Sequence, residues 1–229
     1  MNILGTAIDR EAALPAAIGT IPSGLALLTG HPKLAAGLLA LPVGLVAFFR
    51  DPERAADLAD VDEDTVVAPA DGKVMHAGPA QPGVAPPRDP AQGDWQQISI
   101  FLSLFDVHIN RAPYAGVVES VTYRPGKWLA AYKFESAFEN ERSDIVMNRT
   151  VRGEQRTYVF RQIVGLVARR VVTRVKAGDE VGTGARIGLM KFGSRMDVFL
   201  PPGVELHVKE GDRTVAGETV LATWPGAAR

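Results

Sequence analysis

At 229 residues the chain has room for one sizeable domain or two small ones, and its 46% hydrophobic and 22% charged residues suit a globular protein that buries a core. Lys and Arg number 25 against 26 Asp and Glu, so no global positive field gathers nucleic acid and no nucleic-acid partner is expected. The absence of cysteine excludes disulfides, thiolate nucleophiles and thiolate metal ligands.

Two nearly charge-free stretches, residues 12–29 and 34–49, are separated only by Gly30-His31-Pro32-Lys33. Asp9, Arg10 and Glu11 precede the first and Arg50-Asp51-Pro52 follows the second, which is not the layout of a cleaved secretory signal, so the segment is expected to be retained. At ~1.5 Å per residue the second stretch covers roughly 24 Å, short of a hydrocarbon core of about 30 Å. Pro15, Pro22 and Pro42 should interrupt the helices, which favours a hairpin dipping into one leaflet over two full spans. A buried helical hairpin packed on a soluble domain is the alternative. Arg50 and Arg54 would stand just inside the cytoplasmic face. The expectation is a membrane-associated helical hairpin over residues 1–55, attached peripherally or monotopically to the cell membrane on its cytoplasmic side.

From Val66 onward the pattern changes to short β-branched runs divided by glycine and proline, such as Ile98-Ser99-Ile100-Phe101-Leu102 and Val117-Val118-Glu119-Ser120-Val121. Residues 56–229 therefore read as a β-rich domain. Residues 79–94 hold five prolines and should form an exposed loop between strands. Val175-Lys176-Ala177-Gly178-Asp179 repeats as Val208-Lys209-Glu210-Gly211-Asp212 at an offset of 33, with Gly184 matching Gly217 and Ile187 matching Val220, which points to a small internal duplication. Gly-Asp turns followed by a second glycine and a β-branched strand suit a barrel-sandwich fold, and Pro69-Ala70-Asp71-Gly72-Lys73-Val74 has the same style. The fold class is mainly β (α+β): a barrel-sandwich-like β core with an N-terminal apolar helical hairpin.

The stretch most charged with chemistry is Gly188-Leu189-Met190-Lys191-Phe192-Gly193-Ser194-Arg195-Met196-Asp197-Val198-Phe199-Leu200-Pro201, a strand-like run broken by Gly-Ser and then resumed. Gly-Ser alone is most often a turn. In context, Phe192-Gly193-Ser194 resembles the self-cleavage motif of phosphatidylserine decarboxylases, usually Leu-Gly-Ser-Thr or Gly-Gly-Ser-Thr. Also similar to the short bacterial or archaeal members are Phe49-Arg50-Asp51-Pro52-Glu53-Arg54, Pro69-Ala70-Asp71-Gly72, and Val107-His108-Ile109-Asn110-Arg111-Ala112-Pro113-Tyr114-Ala115-Gly116. Tyr123-Arg124-Pro125-Gly126-Lys127, Asn140-Glu141-Arg142 and Gln162-Ile163-Val164-Gly165 complete a series that keeps its order from residue 49 to 201.

The resemblance implies that the chain cuts itself between Gly193 and Ser194 into a large piece (1–193) and a small piece (194–229), which stay together as a heterodimer. The Ser194 hydroxyl would attack the Gly193 carbonyl and turn the peptide bond into an ester. Loss of the alpha proton would then release the Gly193 carboxylate, and the dehydroalanine left behind would hydrolyse to a pyruvoyl group and ammonia. That covalent pyruvate, derived from Ser194, would be the cofactor. It would form a Schiff base with the serine amine of a phospholipid substrate and accept the electrons released with carbon dioxide, yielding phosphatidylethanolamine. No metal is expected. Phosphatidylserine is the preferred substrate, with archaetidylserine the alternative in archaeal-type members.

Serine needs a base, oriented by a third group. His31 sits in the apolar hairpin and His76 and His207 lie in ordinary strand or turn contexts, whereas His108 falls in the family-like motif, and Asp71 matches the aspartate that completes an Asp-His-Ser arrangement. Longer members carry a second histidine, associated with self-cleavage, where this chain has Arg111, so His108 matches the first and either serves both steps or shares them. Arg111, Lys191 and Arg195 are candidates for holding the substrate carboxylate or phosphate, and equally read as ordinary surface charges.

The principal rival is a biotinyl- or lipoyl-like carrier domain modified at Lys191, since Met190-Lys191 between strands resembles a carrier hairpin. Phe192 in place of a second methionine, the immediate Gly-Ser and the chain length count against it. A metallopeptidase or sugar-phosphotransferase module would need clustered histidines, and a purely structural membrane-anchored domain would remain uncut.

Overall fold

The structure, a computed structural model, describes residues 2–3, 6–54, 62–167, 170–191 and 193–226. It divides into two compact units, Met1–Glu53 and Arg54–Arg229. The domain boundary expected between residues 55 and 56 lies outside the described residues.

The smaller unit contains α1 (Ala13–Leu28), α2 (Pro32–Leu38) and α3 (Ala40–Phe48), with β1 (Asn2–Ile3), β2 (Thr6–Ile8) and β3 (Arg50–Asp51) paired antiparallel in the order β1-β2-β3. Pro32 begins α2 at a position where no intrahelical donor is needed. The second arm divides at Leu39, but the first does not divide at Pro22, as α1 runs through it. A proline removes one backbone donor, and here the turns on either side keep the helix continuous. Ser23 Oγ, which would otherwise face an apolar surrounding, donates to Ala35 O at 2.7 Å and fastens α1 to α2. Outward, Leu14, Leu25, Leu28 and Val43 are exposed, the reverse of a soluble helix surface. The 19-residue helical segment Arg10–Leu28 is long and apolar enough to cross a membrane.

The larger unit is mostly strands: β4 (Thr65–Val67), β5 (Gly72–Pro79), β6 (Gln96–Leu102), β7 (Ile109–Arg111), β8 (Gly116–Arg124), β9 (Arg142–Val151) and β10 (Glu154–Ile163), with the short α4 (Ser136–Glu139) between β8 and β9. There follow β11 (Val171–Thr173), β12 (Glu180–Val181), β13 (Arg186–Met190), β14 (Ser194–Leu200), β15 (Glu205–Leu206), β16 (Arg213–Thr214) and β17 (Val220–Thr223). Eight form one antiparallel sheet in the order β12-β8-β9-β10-β14-β6-β5-β16, and two three-stranded sheets, β11-β13-β7 and β15-β17-β4, complete the unit. The mainly β class expected from the sequence is thus the one observed.

The duplicated turns are built alike. Lys176 N–H and Lys209 N–H each donate to the carboxylate three residues on, Asp179 and Asp212, at 2.9 Å. Gly178 N–H bonds Val118 O on β8, as Gly211 N–H bonds Val74 O on β5, and the strands that follow, β12 and β16, close the two edges of the large sheet. One local motif used twice therefore supplies both sheet edges.

Strand alternation divides the large sheet into two apolar faces. Met196, Val198 and Leu200 of β14 join Ile98, Ile100, Ile145, Tyr158 and Phe160 in the main core, while Phe199 turns to the other face with Val159 and Ile163. The proline-rich loop covers that second face instead of standing wholly in solvent: Val84 is buried there, and Trp95 Nε1 donates to Pro86 O at 3.1 Å. Apolar side chains on an uncovered sheet face would otherwise meet water, which is why the loop folds down. Arg161, within the same face, forms a two-pronged ion pair with Asp144 and donates to Val84 O.

At the start of β4, fully buried Asp64 pairs with Arg156 at 2.6 Å and with Arg152 at 2.9 Å. Burial by itself would push the carboxyl up, but hydrogen bonds and charge from the two guanidinium groups outweigh it and hold the pKa below the ordinary aspartate value.

Candidate active site at the Gly193-Ser194 junction

Lys191 and Gly193 lie between β13 and β14, and Phe192 of the predicted cleavage triplet lies outside the described residues. Gly193 has φ +64°, the left-handed region in which a Cβ is penalised, and Ser194 opens β14 opposite Leu102 of β6. Ser194 is fully buried and its Oγ makes no hydrogen bond among the described residues. A buried hydroxyl left without a partner forfeits hydrogen bonding it would have in water, so it is poised for another use.

His108 reaches this junction from the segment joining β6 to β7. Its own backbone O accepts from Met190 N–H at 3.3 Å, which ties it to the end of β13. Its ring lies between Asp106 O, 2.9 Å from Nδ1, and Gly193 N–H, which donates to Nε2 at 3.3 Å. The approach to His108 is braced by Asp106, whose carboxylate accepts from Ser103 N–H and Oγ, both at 2.7 Å, and from Arg213 at 2.6 Å. The other histidines face outward: His31 meets Thr29, His76 meets Pro79 O and His207 meets Thr223.

Asp71 lies in the turn before β5, and its carboxylate accepts from Arg54 and from Ala216 N–H, each at 2.8 Å. Arg54 is thus paired with Asp71. The Asp71 turn nonetheless adjoins β7, the strand that follows His108, because Arg111 N–H donates to Pro69 O at 2.9 Å. A described hydrogen bond thus joins His108 to Gly193, the chain neighbour of Ser194, and Asp71 lies in a turn bonded to the strand that follows His108.

The three candidate cations differ. Arg195 is 1% exposed and bonds Asp197 at 2.7 Å and Ser99 at 3.1 Å on the sheet face opposite Ser194. Arg111 is buried and donates to Gly184 O at 3.0 Å. Lys191 is half-buried within the junction turn itself. A carrier lysine awaiting modification stands out at a hairpin tip, which Lys191 does not.

Two features were not legible beforehand. A Cβ on Gly165 would lie 1.7 Å from the Gly193 carbonyl oxygen, so only glycine admits that carbonyl. Gln162-Ile163-Val164-Gly165 stood out as a resemblance, but nothing local tied it to residue 193. Nearby, Gln162 donates to Asn110 at 2.8 Å and accepts from Thr173 at 2.7 Å, a buried polar network between β10, β7 and β11.

Fold and geometry together show a β-rich unit in which a buried serine follows a left-handed glycine whose amide rests on a histidine. The family model described as phosphatidylserine decarboxylase matches residues 44–222. A phosphatidylserine decarboxylase proenzyme of Salinibacter ruber is 46% identical over 194 residues, covering 82% of this chain and 81% of the relative. Proenzymes of the same description from Geotalea uraniireducens and Solibacter usitatus are 44% identical over 207 residues (90% and 91% of the two chains) and 40% identical over 227 residues (97% of each). The chain belongs to the phosphatidylserine decarboxylase family.

Proposed function

We propose that this protein is a proenzyme that cuts itself between Gly193 and Ser194 and then decarboxylates phosphatidylserine to phosphatidylethanolamine and carbon dioxide. The observation that carries the reading is the buried Ser194 Oγ, without a hydrogen-bond partner among the described residues, next to a glycine at φ +64° whose amide rests on His108. Family membership supports it and does not favour a carrier domain.

In the self-cleavage, Ser194 Oγ adds to the Gly193 carbonyl carbon, the Gly193 C–N bond breaks, and an ester replaces the amide. Removal of the Ser194 alpha proton expels the Gly193 carboxylate, and water converts the remaining dehydroalanine into a pyruvoyl group with release of ammonia. Residue 194 fits such a group, since its side-chain oxygen has no competing partner among the described residues and the residue is fully buried. Once formed, the pyruvoyl group supplies an electron sink for loss of carbon dioxide. His108 is the residue we assign to proton transfer at the junction. Asp71 acts through the turn bonded to β7, the strand that follows His108. Of the three candidate cations, Lys191 stands two residues before the Gly193-Ser194 bond in the chain, the position we assign to an anionic headgroup, while Arg195 bonds Asp197 and Arg111 donates to Gly184 O.

The two pieces, residues 1–193 and 194–229, would remain one heterodimer, because β14 in the small piece is hydrogen-bonded along its length to β6 and β10 in the large one. Attachment is peripheral or monotopic, through the apolar helices, on the cytoplasmic side. Intact mass under denaturing conditions tests the reading: two species with a pyruvoyl-blocked small piece are expected, and a single uncut chain in an active preparation refutes it.

A further inference from the structure

We propose that the larger unit itself docks on the bilayer, through an apolar rim formed by three loops that meet at the Gly193-Ser194 junction. This rests on the lipid-substrate reading above and adds where the lipid surface lies. The first loop follows β6, whose last residue Leu102 pairs with Ser194, and it carries Leu104 at 52% and Phe105 at 87% exposure. The second follows Gly165, which abuts the Gly193 carbonyl, and carries Leu166 at 66% and Val167 at 60%. The third passes Ala131, whose Cβ is 3.3 Å from where a Gly165 Cβ would stand, and carries Tyr132 at 63%, its ring 6.1 Å edge-on from that of Phe101 on β6.

Three segments distant in sequence thus converge on the reacting bond, and each exposes large apolar side chains just beyond it. Soluble surfaces scatter such residues singly, as Val117 and Val220 are scattered here. The occupant is a bilayer containing anionic lipid, for two reasons. Ser194 is fully buried, so a headgroup has to enter while its acyl chains remain in an apolar medium, and a protein seated on the rim would close that entrance. Beside the apolar residues stand exposed Lys133 and Arg170, which favour anionic headgroups, and Tyr132 has the amphipathic character of an interfacial residue.

The chain has no cysteine, so single cysteines can be labelled without background. Phe105→Cys, Leu166→Cys and, as controls, Val117→Cys and Val220→Cys would each be coupled to an environment-sensitive nitrobenzoxadiazole probe in the full, processed chain. On adding phosphatidylcholine vesicles containing phosphatidylserine, emission at 105 and 166 is expected to shift blue and brighten, with no change at 117 and 220. Aqueous emission at 105 and 166 on vesicles that the wild-type protein binds and decarboxylates would overturn the docking and leave the activity standing. Probes that respond on vesicles whose phosphatidylserine is never decarboxylated would uphold the docking and remove the activity. As a second measurement, Phe105→Ser combined with Leu166→Ser should weaken vesicle binding at least about tenfold, the least expected from removing two apolar side chains from lipid. Unchanged binding by that processed variant would also refute the rim.

Discussion

Nε2 of His108 accepts the backbone N–H of Gly193 at 3.3 Å, although 85 residues separate the two in sequence. A nitrogen that accepts carries no proton, so Nδ1 holds it and donates to Asp106 O at 2.9 Å. The lone pair of Nε2 is therefore turned toward Gly193, whose carbonyl is the one attacked in the proposed self-cleavage. Glutamine at this place keeps a hydrogen-bond acceptor for Gly193 N–H but is not a base. His108→Gln is accordingly expected to slow self-cleavage ~100-fold or more while leaving the fold intact. A time course of intact mass measures it, and wild-type processing by this variant would remove His108 from the chemistry.

Gly165→Ala tests the close approach across the junction. The new Cβ would sit 1.7 Å from the Gly193 carbonyl oxygen, and either the carbonyl or the loop has to move. The precursor should accumulate. Gly182→Ala, at a place where no atom lies within 4 Å of an added Cβ, is the matched control and should process normally. Equal processing by both variants would show that carbonyl placement is not limiting.

At Gly193 the constraint is different, because among the described residues beyond its chain neighbours no atom stands within 4 Å of an added Cβ, and the backbone angle is what penalises a side chain. The left-handed conformation costs other residues about 1–2 kcal/mol, and less for asparagine. Gly193→Val should therefore process more slowly than Gly193→Asn. The reverse order, read on the same gel, would mean that the left-handed backbone conformation at residue 193 does not govern the step.

The Asp64 cluster makes a statement about acid. Its pKa is below the ordinary value in the folded protein, so between the folded value and about 3.9 the unfolded chain binds a proton that the native one does not. The stabilisation is complete above about pH 4 and is lost as pH falls through the folded value. Asp64→Asn should cost about 3 kcal/mol at neutral pH, since it leaves buried Arg156 without its counter-charge, and this deficit should shrink in acid. Denaturant melts at neutral and acidic pH would measure it, and a deficit that grows on acidification would contradict the assignment.

The sequence by itself determined whatever is written in neighbouring residues. Apolar runs interrupted by Gly30-His31-Pro32-Lys33 define a helical hairpin, the two Gly-Asp turns at an offset of 33 define a repeated strand entry, and Gly193-Ser194 marks a break in a buried strand. Such features arise from backbone preferences and from periodic burial, both local in range. Tertiary structure alone decided which distant groups meet. It placed His108 on the amide of Gly193, brought Gly165 against its carbonyl, and buried Arg195 on Asp197, although by residue type alone it was a candidate for the substrate. It also folded the proline-rich loop onto an apolar sheet face and let α1 continue through Pro22. These outcomes depend on strand register and on packing between segments far apart in the chain, where a one-residue slip would exchange the two faces of β14 and carry Ser194 away from the junction.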